Sequence, residues 1–296
     1  MFKAARSRKQ PQLRRPRGRT VARARASAGS SGERRSEEGR PSRKRRRRGG
    51  GFLRLAGAAI LCLSAFTVLF YLGLPSSEPL RKSHPASTAI IDARAHEARA
   101  RGRAARRIQQ WMPLGHISPW LQDAVVNSED ARFYFHHGID TVEFNRALQK
   151  AMDDGKLGRG ASTLTQQLAK NLWLGEERSL FRKAKEYVLA QRLERLGKDR
   201  ILELYLNEVE WGEGIYGAEA AARTWFHKPA AALSPEEAAV LTAMLPAPRN
   251  RNPRRPSPHL RARAYQVLAL YGLYHQIEPR QLDEARERLR ALIGPA

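Results

Sequence analysis

The sequence is short of cysteine, of acidic residues and of recognisable cofactor motifs. Cys62 is the single cysteine in 296 residues, so the chain can form no internal disulfide and its folded part must depend on a hydrophobic core. There is no Cys/His cluster at metal-ligand spacing, no P-loop and no dinucleotide-binding glycine motif. No clear run of alternating polar and apolar residues indicates strands, which favours a mainly α fold.

The excess of positive charge is concentrated at the N-terminus. Lys and Arg number 54 against 29 Asp and Glu, a net charge of +25. Residues 1–50 hold 19 Lys/Arg and 3 Glu, which is +16 of that total. This composition predicts a disordered basic tail that sets membrane topology or binds anionic membrane lipids. Nucleic acid is a third candidate partner, but it is not expected because no aromatic residue beyond Phe2 is interleaved with the arginines.

An apolar stretch follows the tail. Residues 55–74 contain no charged side chain, and as a helix they span about 30 Å, the thickness of a bilayer core. A cleaved signal peptide is shorter and starts earlier, and a buried core helix is seldom so uniformly apolar. We therefore predict a transmembrane helix over residues 51–74. The arginines before it place the tail in the cytoplasm and the rest of the chain outside.

The remainder divides into a linker and juxtamembrane segment, 75–107, and one domain of ordinary size, 108–296. Ser118–Pro119 and Ser234–Pro235 predict helix starts, because serine caps a helix and proline suits its first position. Asp199 is the predicted N-cap of a helix over 200–207. Two amphipathic helices are predicted over 258–292, without a catalytic signal.

A first candidate site lies at residues 128–138. Glu129 and Asp130 are followed by Phe133, His136 and Gly138. A carboxylate held against aromatic rings gains proton affinity and can act in acid–base catalysis. The same pattern also suits the exposed end of a helix whose aromatic residues enter the core.

A second candidate lies at residues 160–194. In a helix Ser162, Gln166 and Lys170 would share one face, while leucines 164, 168 and 172 would face the core. The row Arg178, Arg182 and Glu186 could hold a phosphate or pyrophosphate, or form a solvated ion-pair face. Three glycines within residues 155–160 suggest either a loop that orders over substrate or a plain connection.

Five blocks in this order resemble the peptidoglycan glycosyltransferase family, in particular its monofunctional members with a single membrane span. The blocks cover residues 129–138, 160–171, 182–194, 201–207 and 210–228. The resemblance implies a lysozyme-like helical domain that polymerises lipid II, and so acts as a hexosyltransferase, on the outer face of a bacterial cytoplasmic membrane. It also implies lipid-linked glycan as a second substrate, and cell-wall synthesis or division proteins as candidate partners.

The resemblance also implies residue roles. Glu129 corresponds to the general base, and Glu186 to a second glutamate that assists at the pyrophosphate and its divalent cation, Mg²⁺ or Mn²⁺. Substrate contacts are implied for the other polar and aromatic residues of the blocks: Asp130, Phe133, His136, Ser162, Thr163, Gln166, Gln167, Lys170, Asn171, Arg178, Arg182, Lys183 and Asn207.

Two rival functions can be stated. A lysozyme-like lytic transglycosylase would need an acid that protonates a sugar oxygen, and no cationic cluster for a pyrophosphate. A membrane-anchored binding protein would tolerate loss of either glutamate, and both are present. The 48 residues after Pro248 are too few for a transpeptidase domain and lack a Lys-Thr-Gly element, so no transpeptidase activity is expected.

Overall fold

The computed structural model describes residues 49–155, 162–177, 179–274 and 277–296, with only the backbone of residues 49–52. The basic tail up to residue 48, most of the glycine-rich segment (156–160) and Arg178 lie outside the described residues. The chain divides into two units, 1–55 and 56–296, and the second unit holds the candidate site.

The described part of the chain is built mainly from helices, so the predicted mainly α fold is confirmed. The helices are α1 (Gly49–Leu72), α2 (Ala89–Ala100), α3 (Pro119–Glu129), α4 (Thr141–Asp154), α5 (Leu164–Ala169), α6 (Leu180–Leu193), α7 (Lys198–Glu208), α8 (Ala218–Phe226), α9 (Pro235–Met244), α10 (Pro258–Tyr274) and α11 (Pro279–Ile293). A π-helical turn, Lys170–Leu174, continues α5. The core lies where α10 packs on α9 and α3, and where α5 packs on α6 and α7.

Local sequence explains most helix boundaries. Helix α3 begins after Ser118 with Pro119 at its first position, and α9 begins with the capping box of Ser234 and Glu237, as predicted. The N-cap of α7 is Gly197, not the predicted Asp199, which lies inside the first turn. An acid in that turn still stabilises the helix through its dipole, which explains why Asp199 gave the wrong boundary.

A small sheet is the part of the fold that the sequence did not indicate. Its strands are β1 (Ile108–Gln109), β2 (Glu210–Gly212) and β3 (Ile215–Tyr216), in the order β1–β3–β2. Strand β1 runs parallel to β3, and β2 runs antiparallel to it with an irregular register. Strands of two or three residues are too short to show alternation. The sheet joins the segment before α3 to the hairpin after α7.

Residues 75–107, the predicted linker and juxtamembrane segment, contain helix α2, which packs on the domain. Thr88 caps the helix, and Ile90 and Ile91 form a buried cluster with Tyr216. The guanidinium of Arg94 hydrogen-bonds the carboxylates of Glu176 and Glu210 at 2.7–3.1 Å. These contacts fix α2 beside the π-helical turn and the hairpin.

Helix α1 is long and apolar enough over Leu53–Leu72 to cross a membrane, and these residues are not buried within the protein. Its end is held by Arg192 on α6. The Arg192 guanidinium donates to the carbonyls of Tyr71, of Leu74 at 2.6 Å and of Pro75 at 2.9 Å. It also lies 4.3 Å from the centre of the Tyr71 ring. Arg192 thus fastens the C-terminal end of α1 to α6, and we call this set of contacts the Arg192 clamp.

Candidate active site

Glu129 is the last residue of α3. Leu121, Ala124 and Val125 are buried and fix the helix, so its final turn sets the position of the Glu129 carboxylate. The Glu129 side chain is 14% exposed. Gln167 donates to its Oε2 at 3.3 Å, and Arg263 Nη2 lies 3.6 Å from Oε1. Burial raises the pKa of Glu129, while Gln167 and the cations of Arg263 and Arg251 oppose that rise.

Gln167 connects Glu129 to the core. The buried Tyr205 hydroxyl donates to Gln167 Oε1 at 3.0 Å. This bond fixes which end of the amide is the acceptor, so the NH₂ end is turned toward Glu129. The carboxylate is therefore held in one orientation by a side chain that is itself held.

The other residues of the first block support the turn that follows Glu129. Asp130 accepts from the backbone N–H of Leu164 at 2.9 Å and lies 3.0 Å from His136 Nε2. Phe133 is fully buried, and Asp130 and His136 are nearly so. The structure thus places these three predicted substrate contacts inside the protein, where they join the 130–138 turn to the start of α5.

The side chains of Thr163 and Gln166 likewise hydrogen-bond within the protein. They form the capping box of α5, and the Thr163 hydroxyl also donates to the Gly138 carbonyl at 2.7 Å. Gly138 has φ +80° and passes so close to α6 that a Cβ would lie 3.3 Å from the Ala190 carbonyl oxygen. Ser162 precedes the helix, so the predicted shared face of Ser162, Gln166 and Lys170 is wrong. The leucines at 164, 168 and 172 are buried as predicted.

Lys170 and Asn171 lie at the start of the π-helical turn and line a cleft of about 630 Å³. π-Helical turns are frequent at functional sites because they displace side chains from the regular helical row. Within the described part of the chain, Lys170 Nζ has no hydrogen-bond or ion-pair partner. Burial lowers the pKa of Lys170 although Glu186 and Glu176 oppose this shift. A half-buried ammonium in a cleft is a site for an anionic ligand.

Glu186 lies at the centre of a cationic cluster on α6. Its buried carboxylate accepts from Arg182 Nη1 at 2.6 Å and from Lys183 Nζ. Lys183 also donates to the exposed Ser162 hydroxyl at 3.2 Å. Two cations on one carboxylate leave a net positive charge, which the Lys170 ammonium increases. The predicted residues Ser162, Lys170, Arg182, Lys183 and Glu186 are therefore brought together.

The same arrangement bears on the divalent cation that the resemblance implies. Among the described residues, no group of three or more His, Cys, Asp and Glu side chains could hold a metal ion. Both oxygens of Glu186 accept from cationic side chains, which disfavours direct metal binding there. These residues do not fit a resident metal, and the divalent cation stays a prediction.

Asn207 is fully buried at the end of α7. Its amide donates to the carbonyls of Met112 and Glu203 and accepts from the Met112 N–H, at 2.8–2.9 Å. Gly217 packs against it, because a Cβ there would lie 2.8 Å from the Asn207 carbonyl oxygen. The structure gives Asn207 the role of fastening the chain before α3 to α7.

Asn207→Ala should therefore destabilise the domain by about 2–3 kcal/mol, since it leaves buried backbone groups unpaired. Thermal unfolding in detergent should show a melting temperature lower by several degrees. The matched control is Asn250→Ala, an exposed asparagine at the rim of the cleft. An unchanged melting temperature with a raised KM would instead make Asn207 a substrate ligand.

Arg263 and Arg251 were not found by reasoning from the sequence. Both come from the chain after α9, outside the five blocks, and Arg263 is 134 positions from Glu129. The approach of Arg263 to Glu129 depends on the packing of α10 against α3, and Arg251 is held by the Ala243 carbonyl of α9. No local pattern in the sequence indicates this packing partner.

Comparison with known proteins identifies the family of this chain. Residues 96–271 match the model of the family described as Transglycosylase. A protein named biosynthetic peptidoglycan transglycosylase in Thiobacillus denitrificans is 46% identical over 183 residues, which are 62% of this chain and 77% of that protein. A protein of the same name in Aromatoleum aromaticum is 43% identical, over 73% of this chain and 94% of that protein. Another in Rhodospirillum centenum is 51% identical, over 53% of this chain and 68% of that protein. The resemblance seen in the five blocks is thus confirmed, and the chain belongs to the transglycosylase family.

Proposed function

We propose that this chain is a peptidoglycan glycosyltransferase that polymerises lipid II during cell-wall synthesis. One arrangement supports the proposal above all others. The π-helical end of α5 carries Lys170 toward the cationic cluster of α6, while Gln167, one turn earlier, holds Glu129. A base and an anion-binding site are thereby joined by a single helical turn.

The chemistry follows from these positions. The Glu129 carboxylate takes the proton of the acceptor 4-hydroxyl as that oxygen attacks the anomeric carbon of the growing chain. The new C1–O4 bond forms while the bond from C1 to the pyrophosphate breaks, with inversion. Lys170, Arg182 and Lys183 neutralise the charge that develops on the departing undecaprenyl pyrophosphate. A bound divalent cation would add charge neutralisation at that pyrophosphate, and no step here depends on it.

A raised pKa at Glu129 suits a base at neutral pH. The carboxylate acts as an anion, so activity should be lost as the pH falls through its pKa. Because burial raises that pKa, the acidic limb of kcat/KM should lie above the ordinary glutamate range. Arg263 and Arg251 limit this rise, so the base still ionises.

The lytic alternative is not favoured. Glycan cleavage needs a carboxylic acid that protonates a leaving sugar oxygen, which carries no charge to be neutralised. Lys170 in the cleft, with Arg182 and Lys183 near it, serves a diphosphate leaving group much better. The compared relatives are, in addition, named as biosynthetic enzymes.

We further propose that α1 spans the cytoplasmic membrane with the N-terminus inside and the catalytic domain on the outer face. The arginines before α1 support this orientation. The basic tail would then contact anionic lipids, and cell-wall synthesis or division proteins remain candidate partners. Protease protection in spheroplasts tests the orientation: digestion of the domain from outside, with the tail protected, is expected.

The direct test of the function uses the purified full chain with fluorescent lipid II in detergent. Gel separation should show glycan polymers accompanied by release of undecaprenyl pyrophosphate. Intact cell-wall sacculi serve as the second substrate and should stay undigested. Soluble muropeptides from sacculi, without polymer from lipid II, would replace the proposal by the lytic function.

A further inference from the structure

Helix α10 places an arginine against the end of the helix that carries Glu129. Leu260, Ala264 and Val267 are fully buried, and they hold α10 against α3 and α9. Arg263 lies between them in sequence, with its side chain 32% exposed. The packing therefore fixes the backbone of Arg263, while its guanidinium reaches the edge of the site.

The guanidinium binds the last turn of α3. Arg263 Nη2 donates to the Ser128 hydroxyl at 2.7 Å and to the Ser128 carbonyl at 3.2 Å. The last four carbonyls of a helix accept no hydrogen bond from within the helix. The helix dipole also favours a cation at this end. Arg263 thus acts as a side-chain cap for α3 at the residue next to Glu129.

Arg263 Nη2 also lies 3.6 Å from Glu129 Oε1. This distance is too long for a hydrogen bond but close enough for an ion pair. The groups around the carboxylate are the neutral amide of Gln167 from α5, the Tyr205 hydroxyl from α7, Arg263 from α10 and the cation of Arg251 from the chain after α9. The adjacent Asp130 is turned toward His136, and Asp140 and Glu143, which line the same pocket, pair with Arg132 and Arg146. Arg251 also donates to the Ala243 carbonyl, so Arg263 is the cation directed at both Ser128 and Glu129.

We propose that Arg263 is a positioning residue for the base: it fixes the last turn of α3 and keeps a cation beside the Glu129 carboxylate. The inference rests on the proposed function, because it concerns the same carboxylate. Burial favours the protonated acid, and a neighbouring cation favours the anion. Arg263 therefore widens the pH range over which Glu129 can accept a proton.

The test compares Arg263→Gln and Arg263→Lys with wild type in pH profiles of kcat/KM on lipid II. Arg263→Gln should move the acidic limb to higher pH, which lowers kcat/KM about three- to tenfold more on that limb than on the plateau. Arg263→Lys keeps the charge, so its limb should stay near the wild-type position. Its plateau should fall, because the lysine side chain is shorter than that of arginine and its ammonium reaches Ser128 and Glu129 less well. The control is Arg280→Gln on α11, 90% exposed, which removes the same charge far from packed residues.

The outcomes separate two failures. An inactive wild type would sink the proposed function. An active Arg263→Gln whose acidic limb coincides with wild type would overturn the inference, whatever its plateau. If Arg263→Gln does not fold, Arg263→Lys decides, and a wild-type plateau in that variant would overturn the positioning role.

Discussion

Glu129→Gln is expected to lower glycan polymerisation by about 10²–10⁴-fold, the usual contribution of a positioned general base. The amide has the size of the carboxylate but cannot accept the proton of the attacking hydroxyl. Lipid II turnover by the full chain in detergent measures the effect, and KM should change much less than kcat. The melting temperature should stay close to wild type, because Gln167 can hydrogen-bond the new amide oxygen.

The matched control is Glu284→Gln on α11, an exposed glutamate paired with Arg280. It should retain wild-type polymerisation. Turnover by Glu129→Gln within a few-fold of wild type would remove Glu129 from the mechanism. A lower melting temperature together with lost activity would point to a structural role of the carboxylate.

Lys170→Met is expected to lower kcat/KM by about 10²–10³-fold, comparable to the loss of one donor that stabilises developing negative charge. Methionine keeps much of the length and the apolar stem of lysine but removes the ammonium. Since burial of an unpaired charge is unfavourable, the variant should be as stable as wild type or more so. Steady-state kinetics and thermal unfolding of the same preparations test both statements.

Lys150→Met on α4 is the control, because Lys150 is exposed and outside the cleft. It should change neither activity nor stability. Wild-type activity in Lys170→Met would exclude Lys170 as a ligand of the leaving group. A clear loss of stability would mean that the ammonium has a structural partner.

The sequence predicts the helical frame well, because the relevant signals are local. Pro119 at a first helical position, and the capping box of Ser234 and Glu237, act within one turn, and the observed helices begin there. The leucines at 164, 168 and 172 have a helical period and face the core as expected. The strands near residues 108 and 210–216 are too short to carry any period.

The sequence indicated which residues belong to the candidate site, but it indicated less well what each of them does. Residue type and block order indicated Glu129, Lys170 and Glu186 as site residues. These two signals could not distinguish a substrate ligand from a structural polar residue. Thr163 and Gln166 show why: both occupy capping positions at the start of α5, and this turns their side chains back to the backbone. Contacts such as that of Arg263 depend on tertiary packing alone.

The Arg192 clamp has a consequence for where the reaction can take place. Glu186 and Arg192 lie six residues apart on α6, which is at most about 9 Å along the helix. With α1 in a bilayer, the Glu186 carboxylate would therefore lie within the polar headgroup layer or just above it, and Arg182 at most about 15 Å along the helix from Arg192. A lipid-borne pyrophosphate could be bound without lifting its hydrocarbon tail out of the membrane. Encounters between enzyme and substrate would then depend on lateral diffusion and on the density of lipid II per membrane area.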